Sequence, residues 1–184
     1  MTQAAGIEVV LYRSEWSAQF KQLVDVLVPA LAGLPATVEH VGSTSVPGLA
    51  AKPVLDIDVV VPPGHVKQAV AALESLGYQH RGDLGVTGRE AFTAPDDTPR
   101  RRVYVCPSGN IHLRNHLAVR DVLRRRDDLR DEYAAVKLAL AADPDMDIDT
   151  YLAGKSTVLQ EILSQSGLTE AEREEIWRLN DPSR

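Results

Sequence analysis

Residues 39–61 read EHVGSTSVPGLAAKPVLDIDVVV. Both ends of this stretch have the character of β-strands, and the loop between them is rich in glycine, proline and hydroxyls. In the run VLDIDVVV, Asp56 and Asp58 stand two residues apart. Side chains alternate faces along a strand, so the two carboxylates share one face while Leu55, Ile57 and Val59 take the other. Charge within so apolar a strand is costly unless water, a cation or a base meets it. Gly42, Ser43, Thr44 and Ser45 offer a close-approach backbone position followed by three hydroxyls. Such a loop suits phosphate oxygens, and an Asp-x-Asp pair suits the hard divalent cation that accompanies them. A plain structural reading stands beside this one. Two acids near a strand end can be a solvated edge or partners for Lys and Arg, and Gly-Ser-Thr-Ser is an ordinary turn composition.

With 184 residues, the chain is most simply one domain over 1–184. A sheet-containing core is expected over about 7–106 and a helical half over about 111–180. The net charge of −6 argues against general nucleic-acid binding. Cys106 is the single cysteine, which excludes an intrachain disulfide framework. The N-terminus MTQAAGIEVV lacks the charged and apolar regions of a leader, and no run reaches the length of a membrane span. The expected location is the cytoplasm, with no membrane partner.

Outward from the acidic strand, Ile7 to Tyr12 reads as a short strand. Ser14 then caps a helix striped by Trp16, Phe20, Leu23, Leu27 and Leu31 and stopped by Gly33. After Pro62-Pro63-Gly64, HVKQAVAALESLGY forms a crossover-type helix ending at Gly77, with His65 near its exposed start. His80 is likewise expected at the surface. Short strands are expected at Glu90–Thr93 and Arg102–Cys106, the latter placing Arg102, Tyr104 and Cys106 on one face. From Ile111 onward the spacing is helical. A first helix carries Leu113 to Leu123, and a second carries Leu129, Tyr133, Val136 and Leu140 with Asp127 or Asp128 as cap. A third runs from Ile148 to Leu163, and a last one opens on a Thr169–Glu172 capping box.

The block from Glu39 to Val61, together with HLAVRDVLR at 116–124, resembles the GrpB family of small bacterial proteins, over roughly Val9 to Leu163. That family is similar to the nucleotidyltransferase superfamily, whose members carry a Gly-Ser loop followed by an Asp-x-Asp strand. The resemblance implies an α+β fold, with a nucleotidyltransferase-like mixed sheet flanked by helices and a C-terminal helical half. It further implies Mg²⁺-dependent transfer of a nucleotidyl group from an NTP to a small-molecule or protein acceptor. Asp56 and Asp58 would hold Mg²⁺, and Ser43 with neighbouring amides would hold the terminal phosphates.

Superfamily members take a further carboxylate from a later strand, and Arg102–Cys106 contains none. Glu90 on the preceding strand is the substitute the sequence offers. Where many relatives resemble His-x-His, this chain has Arg102 and Tyr104, which puts two-metal catalysis in question and leaves one metal, or none, open. Lys52, in the loop before the acidic strand, would bridge phosphate or pair with Asp56; Arg89 is a weaker candidate. Asn115, His116 and Arg120 share a helix face within reach of a base, ribose or acceptor. His116 is a candidate general base, although a hydrogen-bonded structural histidine is the more common case. Ala153-Gly154-Lys155-Ser156 imitates the end of a P-loop but lacks its first glycine; Lys155 would still face the cleft. A second function class stays open. Some relatives are fused to dephospho-CoA kinase, which would suit a non-catalytic accessory protein that binds a nucleotide or CoA-related metabolite.

Overall fold

A computed structural model of the chain describes residues 7–179. Residues 1–6 of the segment read for a leader, and residue 180, the expected end of the helical half, lie outside the described residues. The acidic strand β2 (Leu55–Val61) is central. It pairs antiparallel with β1 (Thr37–Val41) and parallel with β5 (Arg101–Pro107). β5 in turn pairs antiparallel with β4 (Glu90–Thr93), which carries the two-residue β3 (Gln79–His80). The sheet order is β1-β2-β5-β4-β3. The parallel β2–β5 pair needs a crossover, and α2 (Val66–Ser75) begins it. Ile7–Tyr12 forms no strand. Its pairing stops at one bridge, in which Val10 and Ala51 exchange two backbone hydrogen bonds of 2.9 Å.

Alternation along β2 divides the sheet as the sequence predicts. Leu55, Ile57 and Val59 are buried against α1 (Glu15–Ala30) and α2, packed with Val103 and Val105 of β5 and with Trp16, Leu27 and Leu73. Asp56 and Asp58 face the other way, beside Arg102 and Tyr104, their partners in the parallel register. Ser14 does not cap α1: it has helical φ/ψ and makes no side-chain capping bond. His80 is exposed, as expected, and its Nε2 lies 2.6 Å from the Glu90 carboxylate.

The helical half comprises α3 (Ile111–Arg125), α4 (Asp127–Ala141), α5 (Ile148–Gly154), α6 (Ser156–Ser164) and α7 (Glu170–Leu179). Asn110 starts α3 by accepting from the His112 amide at 2.8 Å. Arg126 holds the cap position of α4, while Asp127 and Asp128 sit in its first turn, where the helix dipole favours them. The single helix expected over 148–163 is two helices, divided at Lys155. At the break Gly154 lies against Leu140, where an added Cβ would meet Leu140 Cδ2 at 2.7 Å. The Thr169–Glu172 capping box forms, with Thr169 N–H donating to Glu172 at 2.8 Å. This half packs on the β1–β2 connection: Val46 and Leu49 share a buried cluster with Val122, Leu123, Tyr133 and Ile162. The loop that carries Gly42 and Ser43 is therefore the joint between the two layers. Among the described residues, no helix is long and apolar enough to cross a membrane.

Candidate functional site

Val41, the last residue of β1, pairs with Asp56, so the chain turns directly over the acid face. Gly42 makes that turn with φ +69°. A Cβ built there would lie 2.4 Å from Asp56 Oδ2, so only glycine fits. A short 3-10 turn, Ser43–Ser45, follows. The Asp56 side chain is 25% exposed, and Arg102 Nη1 stands 3.6 Å from its Oδ1. Burial lifts the Asp56 carboxyl above its ordinary range, outweighing the opposing pull of Arg102 and His116.

Asp58 is fully buried, with Oδ2 2.7 Å from His116 Nδ1 on α3. Its Oδ1 is buried and has no hydrogen-bond partner among the described residues. Burial acts to lower the His116 pKa, but the bond to Asp58 and the two acid charges raise it overall. Asp56 thus lies against the turn and Asp58 against α3, with one of their four oxygens engaged by histidine and one unmet.

Cations surround this end of the sheet. Lys52 Nζ and Lys155 Nζ each lie 4.5 Å from the centre of the Tyr151 ring. Burial lowers both ammonium groups. Arg102 depresses Lys52 further, and Lys52 and Arg102 help bring Lys155 to about 8. Lys137 is 2% exposed; its Nζ donates to Ser43 Oγ at 3.0 Å and to the Ala50 carbonyl, and it rests over the Tyr133 ring. Burial, then Lys155, brings its pKa to about 7. A cavity of about 910 Å³ opens between the turn and the helical half, within the usual size range of small-molecule sites. Gly42, Ser43, Asn115, His116 and Lys155 line it, with apolar side chains such as Leu152 and Trp177 beyond. Asp56 and Asp58 adjoin this cavity through Gly42 and His116 rather than forming its wall.

The structure therefore gathers Gly42, Ser43, Asn115 and His116 at the cavity, with Asp56, Asp58, Lys52 and Arg102 in adjoining contacts. Tyr104 lies on the acid face under the Arg89 guanidinium, 4.5 Å from its ring centre. Three expectations fail. Thr44 and Ser45 do not offer hydroxyls to this cleft: both are buried, Thr44 is bonded to His40 at 3.0 Å, and Ser45 Oγ donates back to the Gly42 carbonyl at 2.6 Å. Arg120 is spent on Glu39 and Asp121 at 2.7 and 2.8 Å. Glu90 pairs across from Val105, on the face opposite the acids, and its carboxylate binds His80. Lys137, Tyr133 and Tyr151 were missed. The available signal was a lysine one turn beyond Tyr133, near the apolar stripe of its helix, since a lysine facing a core requires an explanation.

A Gly-Ser turn laid over an Asp-x-Asp strand, in a mixed sheet backed by helices, defines a nucleotidyltransferase-like fold. Solved neighbours agree: the Cid1 poly(U) polymerase with MgGTP bound has a TM-score of 0.52 at 14% identity, over 69% of this chain and 43% of that one. A chain of the GLD-2/RNP-8 complex has a TM-score of 0.54 at 17% identity, over 88% of this chain and 63% of that one. These likenesses show the fold alone. The profile of the GrpB protein family matches residues 6–165, and the chain belongs to that family. The crystal structure of GrpB from Enterococcus faecalis superposes with a TM-score of 0.73 at 30% identity, covering 92% of this chain and 99% of that one. A UPF0157 protein of Pseudomonas aeruginosa is 38% identical over 184 aligned residues, 91% of this chain and 75% of the relative. The UPF0157 protein YqkA of Bacillus subtilis is 31% identical, and the match spans only 44% of its length. A dephospho-CoA kinase of Mycolicibacterium paratuberculosis is 28% identical over 82% of this chain and 44% of its own.

Proposed function

We propose that this protein binds the phosphates of a nucleotide in the 42–43 cleft and transfers its nucleotidyl group to a small-molecule or protein acceptor. The observation that carries the reading is the contact between Gly42 and Asp56, which puts a phosphate-sized turn and an acid pair at one place. The donor set fits one divalent cation. The buried Asp58 Oδ1 lacks a partner, and Asp56 lies beside it only partly engaged by Arg102. Bound there, Mg²⁺ would offset charge on the phosphate oxygens. Asp56 and Asp58 would supply only two carboxylates, leaving phosphate oxygens and water to complete the shell, since among the described residues no group of three or more His, Cys, Asp and Glu is placed to hold an ion.

The remaining neutralisation falls to the protein's own cations. Lys155, Lys52 and Arg102 would meet phosphate oxygens, while Lys137 keeps Ser43 in place. His116, fixed by Asp58, would take the acceptor hydroxyl proton at Nε2 when it is neutral, as that oxygen bonds to the α-phosphorus and the bond from the α-phosphorus to the β-phosphate oxygen breaks, releasing pyrophosphate. The test is a single turnover with α-labelled NTP and Mg²⁺. Label is expected to transfer from the wild type and to stop in the D56N/D58N double variant; transfer by that variant at the wild-type rate would end the proposal.

A second reading has its own support. The missing third acid and the match to part of a dephospho-CoA kinase favour a module that binds a nucleotide-containing metabolite without turnover. It predicts ligand-dependent stabilisation and no labelled product.

A further inference from the structure

The 43–45 turn has a second side. His40 pairs with Ile57, so it faces the α1 layer rather than the acids, and its ring stacks on Phe20 with centroids 4.6 Å apart. Next to it lies a separate cavity of about 530 Å³, lined by Tyr12, Ser17, Thr44, Ser45, Arg124 and Arg130 among others. No carboxylate is among its lining residues. Arg124 directs Nε and Nη2 at the Ser45 carbonyl, at 3.1 and 2.7 Å. It makes no ion pair among the described residues, whereas Arg114, Arg120, Arg126 and Arg130 each meet a carboxylate. A guanidinium has five N–H donors, so Arg124 retains several for another acceptor.

We propose that this rear cavity is an anion site, separate from the cleft, that takes the phosphate group of a small phosphomonoester or free phosphate. Arg124 supplies the charge and the hydroxyls of Tyr12 and Ser17, which also line the cavity, supply neutral donors; Arg130 lines it too, with its guanidinium shared with Asp127 and Asp131. Arg124 and Arg120 bear on this side of the turn: after burial, the first cause, they help hold the His40 pKa down at about 4, while Asp121 and Glu39 act on Arg124 from the other direction. A ligand on Arg124 would compete with the Ser45 carbonyl. Ser45 is tied to Gly42, so occupancy of the rear site would be felt at Ser43 in the cleft. The site does not depend on nucleotidyl transfer and stands or falls apart from it.

The test is a titration of the full chain with inorganic phosphate and with glycerol 3-phosphate, followed by amide shifts of Thr44 and Ser45. R124Q is expected to weaken binding at least ten-fold and R130Q a few-fold, while K67M, on the exposed face of α2, leaves the affinity unchanged. Because Arg124 also braces the turn, R130Q, which spares that brace, decides the matter if R124Q does not fold. Failure of both ligands to bind would overturn the proposal. So would binding that survives R124Q and R130Q, or that is lost in K67M.

Discussion

Gly42 meets two demands at one position, a backbone with positive φ and contact with Asp56. Gly42→Ala is expected to cost about 1–3 kcal/mol from the backbone alone, and more from the displaced carboxylate, as measured by urea unfolding. His40 makes a pH prediction. Its folded pKa is about 4, below the ordinary 6.5, and it is 7% exposed. The unfolded chain therefore takes up this proton first as the pH falls. The stabilisation is complete above about pH 6.5 and is lost toward pH 4, a difference of about 3 kcal/mol. Unfolding free energies at pH 7 and pH 4.5 should show that slope in the wild type and a shallower one in H40N. Asp58→Asn should fold, because it removes a buried charge with one unmet oxygen, yet it should lose metal-linked ligand binding.

At the scale of elements, β2 and the Asn110 cap give opposite magnitudes. Ile57→Ala empties a fully buried position and should cost about 2–5 kcal/mol. Asn110→Ala removes one capping bond and should cost about 1 kcal/mol, read as a small drop in Tm. The central strand was legible because its period of two and its acid pair sit within seven consecutive residues. The Ile7–Tyr12 strand misled because a short apolar run says nothing of whether a partner edge extends alongside. The division at Lys155 was hidden for a related reason: Leu152, Leu159 and Leu163 keep helical spacing across it, while the cause, Gly154 against Leu140, lies between elements. Lys137 reaches Ser43 across 94 residues, a contact that no local pattern carries. Arg120 does lie on the face its spacing gives, but Glu39, opposite Asp58 on β1, draws its guanidinium away.

For the molecule as a whole, the sheet and the helical half grip one turn, and the cations of the second layer face the acids of the first. Burial brings Lys137 and Lys155 down to pKa values of about 7 and 8, with Lys155 adding to the shift of Lys137 and Lys52 and Arg102 to that of Lys155. Phosphate binding needs their protons, so nucleotide affinity should fall as pH rises through that window, and K155M should flatten the fall. The central claim is that the turn and the acid pair form one site for a nucleotide phosphate and a single divalent cation. Thermal unfolding with ATP, with Mg²⁺, with both and with neither, in wild type and D58N, tests this most directly. The account predicts a rise in Tm that needs nucleotide and metal together and disappears in D58N. An equal rise in D58N, or none in the wild type with any of a panel of nucleotides and CoA precursors, would contradict it.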